Sequence, residues 1–506
     1  MDAFLKNAVV GTDRHAAPLP ATDSELDPLI TQLPAEQKER SLLLAAGAYA
    51  IYSQAGFVAP EAPAVLAQAE PEILPACSDA IAHQFEGLLQ LHAQILLPEA
   101  LQCLQAAQLR LPHTLLPASL SVATDNPNLQ QAFLPMLGKR GSWLSQFNPR
   151  WNWISQRQPE ELTIAEQEIL WQEGTIAQRK KILQQLRVID PAKARDWLQS
   201  VWKQEKAEIR EDLLHVIATN ITSADTPLLE QALNDRSQHV RALAAKLFSY
   251  LPETAPMQRI LLCADSILNY KNNELQITLP NLEDAQWKGM GEFVTDVTEK
   301  SSPPEWLHSI LRLVPPPHWE EHLRLSPIQI TELLVKLERK DEIINDLTLA
   351  AVWHHSLNWY EPLLHWSIEH VILRTRQERI NTPYPIMLAA LPQEQAEALV
   401  MPIVEHPDHW ARAVHLLPTP WSRKYSQHFI QTLQKYYAQK NNTNYTAWTD
   451  SLPTVASALH PDTLELAQGP WELPEEAGWY TTHRAQQVQA FLALIDIRKQ
   501  FLKELN

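Results

Sequence analysis

His318-Trp319-Glu320-Glu321-His322 reads H-x-x-E-H, a spacing that can do zinc-assisted hydrolysis. On a helix, residues i and i+4 share a face, so His318 and His322 could both ligate zinc with Glu321 as general base. A third ligand would be needed, and Glu394 or Glu397 stands at a tolerable distance along the chain. The competing reading is structural. Pro315-Pro316-Pro317 place the motif in a helix's first turn, where the dipole favours carboxylates for their own sake. The sequence therefore assigns no metal and no cofactor, and His318 and His322 stand as its metal candidates.

From Asn126 to Pro159 the chain has no Asp or Glu, yet it holds Lys139, Arg140, Arg150 and Arg157 among Trp143, Phe147, Trp151 and Trp153. Cations interleaved with aromatics can hold phosphates while stacking bases, or grip an acidic protein surface. Gly138-Lys139-Arg140-Gly141 mimics a GxxG backbone clamp, without the strands of the fold that uses one. The alternative is an elbow with its tryptophans in the core. Arg140, Trp143, Arg150 and Trp151 are the candidate anchors. Gly11-Thr12-Asp13-Arg14 adds Asp13 and Arg14, either as a site or as a local ion pair after a short helix. His354, His355, His365 and His370 lie among Trp353, Trp359 and Trp366 without regular ligand spacing, which suits packing with polar tips. Glu405, His406, Asp408 and His409 form a compact polar group that a helix start explains equally well.

These residues sit in a chain of 506 with a formal charge of −17. That balance opposes bulk nucleic-acid binding, since phosphates would meet net repulsion. Eleven glycines and 38 prolines leave little material for phosphate loops or a turn-dense β fold. GxSxG, Walker and GxGxxG motifs are absent from the sequence. Cys77, Cys103 and Cys263 lie far apart, which suits a reducing compartment. The start, Met1-Asp2-Ala3-Phe4-Leu5-Lys6, lacks the features of a secretory signal, and the longest apolar run, Leu42 to Tyr52, is too short for a bilayer. The expected location is cytoplasmic.

Most segments read as helices ended by Pro or Gly: Glu36 to Gln54, Asp79 to His92, Pro98 to Arg110, Pro303 to about Val314 and Arg484 to Leu502. Leu275 to Leu279 alternates and predicts a short strand or extended linker. An internal repeat organises the middle. Arg179, Arg210 and Arg241 are spaced by 31 residues, with apolar positions following at +3, +4 and +7 on one helix face. A unit of that length holds two helices that must stack on neighbours to bury their stripes. The arginines predict an internal ladder or, if exposed, a basic row for an acidic peptide.

Asp235-Arg236-Ser237-Gln238-His239-Val240-Arg241 resembles the HEAT-repeat signature, with Asp in the turn and Val-Arg opening the helix. Gln204 replaces that Asp in the middle unit, Gln178 stands where Val240 does, and Asn272 falls where the next Arg belongs. Val10-Gly11-Thr12-Asp13-Arg14, Leu137 to Leu144 with Asn148-Pro149-Arg150-Trp151, and Val314-Pro315-Pro316-Pro317-His318-Trp319 accompany it. Together they resemble an uncharacterised bacterial family of HEAT-like helical proteins, over at least residues 1 to 320. Members are encoded beside a MoxR-type AAA+ ATPase, a SWIM zinc-finger protein and a von Willebrand A-domain protein. The resemblance implies an accessory role in that system and carries no catalytic residues.

The expectation is an all-α protein, an irregular HEAT-like α-solenoid of helical hairpins. Its divisions are 1–158, a helical region; 159–256, the repeats; 257–300, a connection with a short strand; and 301–506, a second helical region. The expected function is a non-enzymatic scaffold or adaptor for proteins, by resemblance the MoxR-type ATPase or its von Willebrand A-domain companion. Nucleic-acid binding is the second reading, and zinc hydrolysis at His318, Glu321 and His322 the third.

Overall fold

The computed structural model of the chain describes residues 2–10, 19, 21–22, 24–55, 68–154, 164–279, 303–337, 339–372, 383–406, 409–438, 451–472 and 479–505. Contacts divide it into two units, Met1–Ala69 and Glu70–Asn506. Both are mostly helical. Among the described residues no helix is long and apolar enough to cross a membrane.

The first unit contains the helices Asp2–Val10 and Lys38–Ala55. Phe4, Ile30, Leu42 and Ala45 form its small core, with the Phe4 and Tyr49 rings 5.9 Å apart.

The second unit is built on one continuous apolar core running from Cys77 to Phe501. Much of the chain's tryptophan goes into it: Trp153, Trp171, Trp202, Trp306, Trp319, Trp359, Trp366, Trp410 and Trp421 are all buried. A large indole fills the wedge between crossing helices better than several small side chains. Helix starts follow local rules. Thr175 and Ser326 close capping boxes with Gln178 and Gln329, and Pro191 and Pro327 occupy first turns where no intrahelical N–H is missed. Two of the expected helices are shorter than their periodicity suggests. The first ends at Leu88 and gives way to a 3-10 turn, Leu91–Leu96; the second ends at Ala106, before Gln108 turns left-handed at φ +53°.

In the middle of this unit, Ile176–Ile189 packs on Ala207–Ile217, which packs on Gln238–Phe248. Pro191–Val201 pairs with the first of these and Thr226–Leu233 with the last. The aligned apolar positions Ile182, Leu183 and Leu186, then Leu213, Leu214 and Ile217, then Ala244, Ala245 and Phe248 are all buried. After Ala255–Ile267 the period breaks at a hairpin, β1 (Leu268–Lys271) and β2 (Glu274–Ile277). Asn272 and Asn273 form its tip at φ 53° and 64°, the left-handed pair that a tight two-residue turn requires.

The last helix, Trp479–Leu505, returns to the beginning of the unit and packs on Asp79–Leu88, Leu97–Ala106 and Leu452–Ala458. Arg498, 2% exposed, clasps both carboxylate oxygens of Glu99 at 2.5 and 2.6 Å and donates to the Ala456 carbonyl. Phe501 meets Phe85 at 6.3 Å.

Candidate functional site

The basic, aromatic segment lies on the helix Gln130–Ser145 and the 3-10 turn Pro149–Trp151. Gly138 interrupts that helix at φ +63°, and the N–H groups after it point outward as at a fresh helix N-terminus. They meet an internal acid. Glu72 accepts the Lys139 N–H at 2.9 Å and the Arg140 N–H at 3.0 Å. Its carboxylate occupies the space a Cβ at Gly138 would need, with Oε2 at 2.2 Å from that position. The GxxG-like clamp is thus a real anion cradle, filled by the chain itself.

The flanking cations are claimed in the same way. Lys139 pairs with Glu70 at 2.8 Å, an exposed contact that holds the Glu70 carboxyl below its usual range. Arg150 pairs with Asp125 at 2.8 Å, both side chains 68% exposed, a geometry worth little in stability. A segment free of acids in sequence is therefore partly neutralised by acids from elsewhere.

Arg140 is different. Its guanidinium is exposed, lies 5.9 Å from the Trp143 ring centroid and reaches His113 Nδ1 at 3.5 Å, with no carboxylate partner among the described residues. Trp143 is half-buried and meets Phe147 edge-on at 4.7 Å; Phe147 is 49% exposed. Arg140, Trp143 and Phe147 follow at i, i+3 and i+7, one stripe along the helix and the turn after it. Trp151 is half-buried against the core, and Trp153 is buried with its indole N–H on Thr124 Oγ1 at 3.1 Å. The segment thus splits, with Arg140, Trp143 and Phe147 facing solvent and Trp151 and Trp153 turned inward. Asp13, Arg14 and Arg157 lie outside the described residues.

The three periodic arginines are mostly occupied inside the fold. Arg179 donates to Glu205 at 2.7 Å and covers Trp171; Arg210 forks onto Asp235 with two bonds of 2.7 Å; Arg241 turns to the carbonyls of Asp235 and Arg236. Burial pushes the Asp235 carboxyl up, but the Arg210 guanidinium and the Ser237 N–H hold it below its usual value. The acid of the middle unit is Glu205, one residue after the Gln204 that the repeat alignment selects.

His318 and His322 do share a face of the helix Pro316–Leu323, with parallel rings 6.1 Å apart. What they hold is Asp265: its Oδ1 is 2.7 Å from His318 Nε2 and 3.2 Å from His322 Nδ1, while His322 Nε2 donates to the Leu268 carbonyl at 2.9 Å. The motif fastens this helix to the end of Ala255–Ile267 and the hairpin. Glu321 is exposed, and Glu320 accepts the Trp359 indole N–H at 2.7 Å. Glu394 is exposed, and the buried Glu397 accepts from the Ser422 N–H and hydroxyl. Among the described residues no group of three or more His, Cys, Asp or Glu is arranged to hold a metal ion.

The remaining histidines are spread over separate surroundings. His354 lies against Tyr250, His365 pairs with Glu369, and His370 stacks on Trp366 at 4.9 Å. His409 is buried and stacks on His406, and Glu405 reaches His428 at 3.3 Å; Asp408 lies outside the described residues.

Two arginines that rank among the largest fully buried side chains described were not legible as such. Arg187, fully buried, forks onto Asp225 and takes the carbonyls of Ile217, Thr219 and Asn220, closing the end of the helix Ala207–Ile217. Arg498 is the other. Neither has a periodic counterpart, so spacing gives no signal for them.

The chain matches, over residues 3–505, a family described as a family of unknown function (DUF5691), and it belongs to that family. No curated protein and no solved structure matches it.

Proposed function

We propose that this protein is a non-enzymatic protein-interaction scaffold, and that the Arg140–Trp143–Phe147 stripe is an anchor for an acidic protein surface. The observation that carries the reading is the exposed Arg140 guanidinium, free of any carboxylate among the described residues, beside two partly exposed aromatic rings. Arginine and aromatic side chains that become fully desolvated supply most of the energy of an interface. Acids from outside the segment, Glu70 and Asp125, pair with its other described cations, Lys139 and Arg150, which leaves the Arg140 guanidinium as the cation available to a partner.

The architecture belonging to this reading is an irregular HEAT-like solenoid. It is supported by helix pairs stacked at a 31-residue period and by Arg179 and Arg210 each reaching the turn of the following unit. Such stacking presents long helical faces to partners. The partner proposed is the MoxR-type AAA+ ATPase or its von Willebrand A-domain companion, as the family resemblance implies, and the location proposed is the cytoplasm, from the scattered cysteines.

The test is co-expression of the full chain with each of those two proteins, followed by purification on a tag on the full chain. Recovery of one of them with the wild type, lost with Arg140→Glu and Phe147→Ser, supports the scaffold reading. Equal recovery with wild type and variants, or recovery of neither protein, overturns it.

A further inference from the structure

A cleft of about 230 Å³ opens where the repeats meet the following helices. Ala207–Ile217 contributes Glu211 and His215, and Gln238–Phe248 contributes His239 and Lys246. Pro303–Leu313 contributes Ser309 and Arg312, and Trp353 closes one side from the end of Lys340–Trp353. His215 and Lys246 are 31 residues apart, so they hold the same position in neighbouring units and point along one face.

Three features of this cleft are unexplained by folding. The Lys246 ammonium is half-buried, 4.5 Å from the Trp353 ring centroid, and has no carboxylate partner among the described residues. Ser309, only 5% exposed, has a hydroxyl with no hydrogen-bond partner. Two cationic side chains, Lys246 and Arg312, converge from separate elements in a chain whose net charge is −17. Arg312 is partly engaged by Asp346 at 3.4 Å, and Glu211, the one carboxylate of the lining, makes no ion pair with Lys246. Burial presses the Lys246 amine below its usual range, the mark of a cation whose counter-charge is missing. Burying an ammonium without a partner costs stability, and a bound anion offsets that cost.

We propose that this cleft is a binding site for a small molecule that carries an oxyanion, a phosphate or a carboxylate, on an apolar body. The oxyanion lies between the Lys246 ammonium and the Ser309 hydroxyl, with the Arg312 guanidinium beside it. The apolar body rests against Trp353 and Leu313. The site is separate from the Arg140 stripe, and neither reading depends on the other.

Phenyl phosphate and benzoate are the probes, titrated calorimetrically into the full-length protein. Both carry an aromatic body, so their relative affinity distinguishes the phosphate from the carboxylate source. The expected result is saturable one-to-one binding of at least one probe. Lys246→Met weakens it by about tenfold or more, and Ser309→Ala weakens it by a smaller factor. Lys246→Met retains the fold, because an apolar side chain of similar length replaces a half-buried cation that has no carboxylate partner among the described residues; its unliganded thermal midpoint at or above that of the wild type verifies this. Binding of neither probe overturns the proposal, as does binding with the same affinity in Lys246→Met and wild type. Arg140→Glu binds the preferred probe as the wild type does.

Discussion

Glu72 reaches across 66 positions to Gly138 and places its carboxylate where a side chain at that glycine would be. The two residues define each other. Only a glycine tolerates φ +63° with ψ −168°, and only with the helix interrupted there do the Lys139 and Arg140 N–H groups stand free to bind an anion. Gly138→Ala therefore imposes backbone strain and expels Glu72 together. The expected loss is about 3 kcal/mol, read as a lowered midpoint in urea. A loss below about 0.5 kcal/mol would show that the cradle does not constrain the fold.

The clasp of Arg498 on Glu99 joins residues 399 positions apart, and Arg498 is almost wholly buried. Removing one partner strands a buried charge. Glu99→Ala is expected to cost about 3–5 kcal/mol, and Glu99→Leu with Arg498→Met together to cost much less than Glu99→Ala alone. Hydrogen exchange should locate the loss in Trp479–Leu505 and the helices it touches. Simple additivity of the two changes would contradict the coupling.

Arg210 and Arg241 hold equivalent repeat positions but different partners. Arg210 forks onto a buried carboxylate, while Arg241 reaches carbonyls alone. Charge-assisted paired bonds are the stronger kind. Arg210→Ala is expected to lower stability by about 2–4 kcal/mol and Arg241→Ala by about 1 kcal/mol. Equal losses in thermal or urea unfolding would place no weight on the Asp235 partner.

How far these contacts could be read beforehand varies with the interaction. The periodic apolar positions at 182, 213 and 244 were legible, because a stripe that must be buried repeats with the helix. The hairpin was legible in part: the alternation of Leu275 to Leu279 suggests a strand, but its partner Leu268–Lys271 alternates over only four residues directly after a helix, too short a run to stand out. The neutralisation of Lys139 and Arg150 was not legible, since Glu70, Glu72 and Asp125 lie outside the segment they neutralise. Composition within a window cannot see acids that the fold brings from elsewhere. The histidines of His318 to His322 were rightly placed on one helix face, but what that face meets, Asp265, is fixed only by tertiary packing.

His354 gives a pH signature. Burial, aided by the Lys246 and His355 charges and opposed by a hydrogen bond to the Leu313 backbone, pushes it down to about 4. An unfolded chain protonates its histidine near pH 6.5, while the folded protein resists until about pH 4. Between these values the unfolded state binds more protons, so this contribution is complete above pH 6.5 and is lost as pH falls toward 4. It amounts to roughly 3 kcal/mol across the window. Urea titrations at pH 7, 6, 5 and 4.5 should show the stability gap between wild type and His354→Leu shrinking as pH falls. A gap independent of pH would contradict the burial of the neutral ring.

The most direct test of the scaffold reading is the affinity of the purified full chain for the purified MoxR-type ATPase and for its von Willebrand A-domain companion, measured in parallel for wild type, Arg140→Glu, Phe147→Ser and Arg150→Glu. Binding to one of them is expected, weakened by about a hundredfold for Arg140→Glu and at least tenfold for Phe147→Ser. Arg150→Glu, whose partner is the internal Asp125, should change it only a few-fold, with the thermal midpoints of all three variants close to wild type. No binding to either protein, or binding indifferent to Arg140 and Phe147, would contradict the scaffold reading.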